Sequence, residues 1–235
     1  MRKYKTMLNI KEILTILYRA YISPTKANVS YSQCGEDMVL RYLLSHVKIS
    51  GYYVDVGCHH PKRGSNTFYF YKKKGWNGIL IDLEPTKIYA CKLLRWRDKC
   101  ILAAVSDKPE VVTIYSPNNF SVLATINPQA KGDNFKEVGT ITSRTLTEIL
   151  DTLNAPENFE LLNIDAEGVD LKVLKGLDFN KYRPEFICIE IWAVANGLEA
   201  LLCSEINQFL TQKKYRLASW AGKSMIYQSF YTLKI

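Results

Sequence analysis

Gly51-Tyr-Tyr-Val-Asp-Val-Gly-Cys-His-His-Pro61 begins as an apolar run, stops at an acid, passes a glycine and ends in two histidines and a proline. Residues 52–56 read as a buried strand, and residues 57–61 as the turn at its carboxyl end. The same pattern recurs down the chain. "NGILID" predicts a strand over 77–82, "CILAAVS" over 100–106, "VVTIYS" over 111–116, "FELLNID" over 159–165 and "EFICIEIW" over 185–192. Two more strand-like runs fall in 215–231. Helices are expected over 35–47, 65–74, 85–96, 147–153, 168–175 and 198–212. Residues 117–140, rich in Asn, Pro, Gly and Ser, read as a long loop. Strands alternating with helices predict an α/β fold with a mostly parallel sheet sandwiched by helices. No repeat and no linker divides residues 29–235, so they read as one domain.

The composition narrows the class. Of 235 residues, 47% are hydrophobic, enough for a sizeable core and too many for global disorder. No apolar run reaches the ~18 residues that a membrane-spanning helix needs. Six cysteines, at 34, 58, 91, 100, 188 and 203, form no CxxC pair, so neither a zinc knuckle nor a redox motif is indicated. Free, buried thiols in a reducing, cytoplasmic setting are the expectation. The net charge is +8. No RNP-like or zinc-finger pattern accompanies it, so a basic surface is expected without nucleic-acid binding.

Residues 1–28 stand apart as an N-terminal amphipathic extension. They carry Arg2, Lys3, Lys5, Lys11, Arg19 and Lys26 against the single acid Glu12. Leu8, Ile10, Ile13, Leu14, Ile16, Leu17, Tyr18 and Tyr21 give a helical apolar stripe, and Pro24 closes the helix. Lys11-Glu12 interrupts the apolar run and no small-residue cleavage site comes after it, which argues against a signal peptide. The stripe docks on the domain or on a second copy in a homodimer, or residues 1–22 lie on the inner face of an anionic membrane.

In open α/β sheets, ligands bind beyond the carboxyl ends of the strands. Each core strand here ends in an acid or close to one. The endings are Asp55 with Gly57, Asp82 with Glu84, Ser106 with Asp107, Asp165 with Glu167, and Glu190. Five acids in register point to a shared site. A pyrophosphate-binding turn wants glycine amides and few acids, and GxGxxG is absent. Asp82 lies 25 residues beyond Gly57, close to where a carboxylate holds ribose hydroxyls in dinucleotide folds. A phosphate-free, cationic nucleoside suits such a rim, and S-adenosyl-L-methionine is one.

"SQCGED" (32–37), "GYYVDVGCHHP" (51–61), "SNTFYFYKKKGWNGILIDLEP" (65–85), "LAAVSD" (102–107), "TLTEIL" (145–150), "LLNIDAEGVDLKVLKGLDF" (161–179) and "RPEFICIEI" (183–191) resemble the FkbM-type methyltransferases. The resemblance covers about residues 30 to 192, and the runs at 65–85 and 161–179 are its specific part. It implies a Rossmann-like class I methyltransferase that uses S-adenosyl-L-methionine. Its acceptor would be a hydroxyl of a sugar, glycolipid or related metabolite. The chain departs from most class I enzymes in having His59 and Pro61 where further glycines would come after Gly57.

The chemistry of each residue type suggests its role. Asp82 is expected to accept the ribose hydroxyls, or else to cap a helix. Asp55 and Gly57 would shape the methionine end, and Glu36 would do likewise or stabilise a helix N-terminus. Ser106 and Asp107 would edge the adenine. Asn66 and Thr67 would touch the cofactor or cap the next helix. A sugar hydroxyl is a poor nucleophile, so Asp165, Glu167 or His59 is expected as base. Alternatively, Asp165 and Glu190 would hold Mg2+. Zinc is not expected, because His59 and His60 are adjacent and only His46 remains. The acceptor pocket is expected in 117–140 and the tail after 192. Rival readings are a nucleotide-sugar or NAD-dependent enzyme, and a non-catalytic module that binds a partner or membrane.

Overall fold

The computed structural model describes residues 10–18, 28–47, 50–117, 124–129, 134–192 and 197–232. In chain order the strands are β1 (Tyr52–Val56), β2 (Asn77–Asp82), β3 (Lys99–Leu102), β4 (Val111–Ser116), β5 (Lys136–Thr142), β6 (Asn158–Ile164), β7 (Arg183–Glu190), β8 (Tyr215–Ala221) and β9 (Ser224–Ser229). Seven of them form one sheet in the order β3-β2-β1-β6-β7-β9-β8. The first five run parallel, and β9 and β8 add an antiparallel edge. The helices are α1 (Ile10–Leu17), α2 (Glu36–Leu43), α3 (Pro85–Leu94), α4 (Leu146–Thr152), α5 (Asp170–Lys175), α6 (Leu198–Leu202) and α7 (Glu205–Gln212). The chain thus adopts the expected α/β architecture, a mostly parallel sheet between helical layers.

Side-chain alternation builds two cores. Val54, Val56, Ile79, Ile81, Leu162 and Ile164 face one side, where Leu146, Ile149, Leu150, Val173, Leu174 and Leu210 of α4, α5 and α7 cover them. Tyr53, Leu80, Leu161, Phe186 and Cys188 face the other side. There they meet Leu40 of α2, Ile88 and Cys91 of α3, and Phe70 and Trp76. Trp76 is fully buried, with its ring 4.6 Å from Phe70 and stacked on it.

Four expectations are corrected. The loop expected over 117–140 ends early: from Lys136 the chain enters β5, which pairs antiparallel with β4 in a separate two-stranded sheet. Nearly all of β5 is exposed, so it lacks the apolar alternation that marks a half-buried strand. The third strand stops at Leu102 rather than 106, because past Ala103, whose amide still donates to the Asp82 carbonyl, the chain pairs with Arg144 instead of β2. The expected 198–212 helix is two, since the Ser204 side chain accepts from the Asn207 amide and starts α7 afresh. The helix expected over 65–74 begins only at residue 68, its last turn, Phe70–Lys74, is π-helical, and Gly75 closes it. Of the N-terminal stripe, Ile10, Ile13, Leu14 and Tyr18 are exposed. Most of the rest of 1–28 lies outside the described residues.

Trp76→Ala should cost about 3–5 kcal/mol through the cavity it leaves, read as a lower urea midpoint at constant slope. Tyr42→Ala, at a side chain 80% exposed, should change stability by less than ~0.5 kcal/mol.

Candidate functional site

A cleft enclosing about 1050 Å³, part of it open to solvent, lies at the carboxyl edge of the sheet. Asp55 to His59, Ile81 to Leu83, Ala103 to Val105 and Asp165 to Glu167 form much of its wall. The strand order reverses between β1 and β6, so the loops leaving them diverge and open this crevice. The two loops nevertheless touch at one point. Gly57 has φ 79°, and a Cβ there would stand 1.8 Å from the Asp165 carbonyl oxygen. Only glycine permits that approach.

Asp82 ends β2 and is 6% exposed. Its Oδ2 accepts the His59 amide at 3.0 Å and its Oδ1 accepts the Glu84 amide at 3.0 Å. Lys87 Nζ stands 3.5 Å from Oδ1. The carboxylate therefore clips the turn after β1 onto the end of β2 and keeps lone pairs for a ligand in the cleft. Asp82 is not the helix cap. Glu84 is, accepting from the Thr86 and Lys87 amides.

Asp55 is held from behind. Parallel register sets it beside Asn163 on the same face of the sheet. Asn163 Nδ2 donates to Oδ1 at 2.8 Å, and Thr67 Oγ1 donates to Oδ2 at 2.6 Å. Thr67 in turn accepts from Arg95 Nη1 at 3.0 Å. Arg95 is 1% exposed and donates through Nε to Asp98 at 2.7 Å and through Nη2 to the Tyr53 hydroxyl at 2.7 Å. At the other end, Asn66 Nδ2 donates to Asn163 Oδ1 at 2.8 Å. Burial pushes the Asp55 carboxyl up, and the Thr67 bond, Arg95 and Asn163 pull it back.

Asp165 receives no such help. Its Oδ1 is buried with no hydrogen-bond partner among the described residues. Burial, then the charges of Glu190 and Glu167, raise its pKa to about 8. Burial, then Glu190, raises Glu167 to about 7. Glu167 itself has φ 50° in a tight loop, where Asp170 accepts the Ala166 and Gly168 amides at 2.8 and 3.1 Å. Thr125 and Asn127 cap that loop by donating to the Glu167 and Gly168 carbonyls.

A second hollow of about 560 Å³ shares Gln33, Gly64, Asn66 and Asp165 with the cleft. Glu36, Glu190, Lys223 and Ser224 complete much of its wall. Glu36 accepts the Cys34 amide at 2.8 Å and the Ser224 hydroxyl at 3.3 Å. Glu190 accepts from Trp192 Nε1 at 2.6 Å.

Of the residues singled out by sequence, Asp55, Gly57, His59, Asn66, Asp82, Asp165 and Glu167 line the cleft. Glu36 and Glu190 line the second hollow. Thr67 lies behind Asp55 rather than on the wall. Ser106 and Asp107 are not brought to the cleft. Past β3 the chain turns to Arg144, Ser106 Oγ donates to Asp107, and Ala103 to Val105 take the wall instead. The adjacent histidines divide. His60 Nδ1 accepts the Lys62 and Arg63 amides and holds the turn. His59 lines the cleft with a buried Nδ1 that has no partner among the described residues, and burial, then Lys87, lowers its pKa. Among the described residues, no group of three or more His, Cys, Asp or Glu is placed to hold a metal ion. Asn163 and Arg95 escaped the sequence reading. A lone Asn inside "LLNID" was the available signal for the first.

The family model of the Methyltransferase FkbM domain matches residues 55–217. Comparison with curated proteins finds no match.

Asp165 generates a pH dependence. Its folded pKa, about 8, exceeds the ~3.9 of an unfolded aspartate. Between those values the native state holds a proton that the unfolded state lacks, so stability falls as pH rises. Wild type should therefore lose stability relative to Asp165→Asn between about pH 5 and pH 8, then run parallel to it above that. Urea titrations across this range check it, and a constant difference would mean an ordinary carboxyl.

Proposed function

Because the chain belongs to the FkbM methyltransferase family, we propose that it is an S-adenosyl-L-methionine-dependent O-methyltransferase. The acceptor on this reading is a hydroxyl of a sugar, glycolipid or related metabolite. The observation that carries it is Asp82, a nearly buried carboxylate at the end of the second strand. Two backbone amides orient it at the lip of the cleft.

The residues present fit the cofactor. Asp82 would accept its ribose hydroxyls, and Gly57 allows the turn after β1 to close on the Asp165 carbonyl at the cleft wall. Asp55, fixed by Thr67 and Asn163, would face the methionine ammonium, and Asn66 would stand near it. Ala103 to Val105 offer the adenine an apolar edge, in place of Ser106 and Asp107. When bound, the cofactor supplies a methyl group already activated on a sulfonium, so positioning provides most of the acceleration.

Deprotonating the acceptor hydroxyl falls to Asp165. His59 and Glu167 line the cleft alone, whereas Asp165 lines both the cleft and the second hollow. A carboxyl near pKa 8 is a better base than an ordinary aspartate at the pH where it works. The second hollow is walled by amide, thiol, carboxylate, hydroxyl and ammonium groups, with no aliphatic or aromatic side chain, which supports a hydroxylated acceptor. Asp165 and Glu190 would offer Mg2+ two carboxylates, with water completing its six ligands, but proton transfer to Asp165 does not need the ion. No step is routed through a metal, and EDTA should leave turnover unchanged.

Isothermal titration of the full chain should show S-adenosyl-L-methionine binding. Asp82→Ala should weaken it at least ~100-fold, the worth of two charge-assisted hydrogen bonds. Unchanged affinity would remove Asp82 from the cofactor site and the proposal's main support with it. Asp165→Asn should keep cofactor affinity within about threefold while methyl transfer to a glycan extract drops by ~10²–10⁴. Wild-type kcat/KM should rise with pH up to about 8, the deprotonated carboxylate being the active form.

A further inference from the structure

We infer that the outer face of α3, together with the lysines before Gly75, docks the protein on an anionic lipid bilayer. α3 turns Ile88 and Cys91 toward the sheet, and Arg95 points inward after them. Its other side carries Tyr89, 65% exposed, and Leu93 and Leu94, 62% and 61% exposed. Trp96, just past the helix end, is 75% exposed. Exposed apolar side chains scattered singly are ordinary. Four large ones within eight residues of one helix and its end form a patch, where a helix facing water would carry polar side chains.

The patch is basic at its border. Arg97 donates to the Tyr71 carbonyl, and its guanidinium lies 4.0 Å from the Tyr71 ring and 5.3 Å from the Trp96 ring. That contact ties the exposed run Lys72, Lys73 and Lys74 to the end of α3, where Lys92 is exposed as well. Every acid between residues 70 and 100 is withdrawn from this surface. Asp82 and Glu84 are buried at the cleft end of α3, and the Asp98 side chain is fully buried against Arg95.

Apolar and aromatic side chains bordered by lysines, with no exposed acid between residues 70 and 100, match an interface of acyl chains and anionic headgroups. Lysine stems add apolar contact while their ammonium groups reach the phosphates. A second copy fits less well, since a two-fold contact through this patch would set lysine against lysine. A nucleic acid would use the lysines and leave Leu93 and Leu94 without a partner. This surface is separate from the cleft and does not depend on the reaction performed there.

The test is co-sedimentation of the full chain with vesicles of phosphatidylcholine alone and with about one third phosphatidylglycerol. Binding is expected to the anionic vesicles only, and to fall as salt is raised. The pair Leu93→Ser/Trp96→Ser should weaken it at least about tenfold, and Lys72→Glu/Lys73→Glu/Lys74→Glu more than ~100-fold. Both variants should melt with the wild type, because the altered side chains are exposed. Three results would overturn the inference. The first is wild-type binding to neutral and anionic vesicles alike, or to neither. The second is wild-type affinity in both variants, which would assign any binding to residues elsewhere, such as 1–22. The third is vesicle binding left intact while Leu93→Ser/Trp96→Ser abolishes a dimer seen by light scattering, or while the lysine variant loses binding to single-stranded RNA.

Discussion

A carboxylate taken out of water must be bonded on both oxygens or it costs several kcal/mol, and Asp55 imposes that demand at the centre of the sheet. Its partners are recruited from across the chain. Asn163 comes from the neighbouring strand, Thr67 from the loop after the first turn, and Arg95 from the end of α3. Arg95 is itself a buried cation, which Asp98 and the Tyr53 hydroxyl satisfy. One buried charge thus requires a second, and the second a third. The resulting network locks β1, β6, the 65–67 turn and α3 into a single arrangement. Such a network is worth more as a specifier of geometry than as a source of stability.

Asp165 receives the opposite treatment on the other side of the same crevice. Asp55 has donors on both oxygens and a guanidinium behind them. Asp165 has a bare Oδ1 with Glu190, Glu167 and Asp170 for company. Two aspartates at adjacent strand ends are thereby given opposite surroundings, one bonded on both oxygens and the other with an unpartnered oxygen among acids. The point where Gly57 meets the Asp165 carbonyl holds these two environments in register. A side chain at 57 would force the β1 and β6 loops apart and merge them.

How much of this could be read beforehand differs by element. Strands β1, β2, β6 and β7 were legible because each is an apolar run flanked by turn residues, and parallel buried strands leave that trace. β5 was not, because an exposed strand paired outside the main sheet has no burial pattern to betray it. Asp55, Asp82 and Asp165 were legible as acids ending apolar runs. Ser106 and Asp107 matched the same rule and failed it, because the third strand stops early and the chain swings toward Arg144 before reaching them.

By itself the sequence determined the sheet, its two-faced alternation and the acids that reach its carboxyl edge, since each of these arises from neighbours a few residues apart. The tertiary structure alone decided which of those acids is bonded and which is left bare. Asn163 lies 108 residues from Asp55, and Asn66 lies 97 from Asn163. Contacts over such separations arise from parallel register and helix packing. No local pattern encodes them, yet they decide how each carboxyl is bonded.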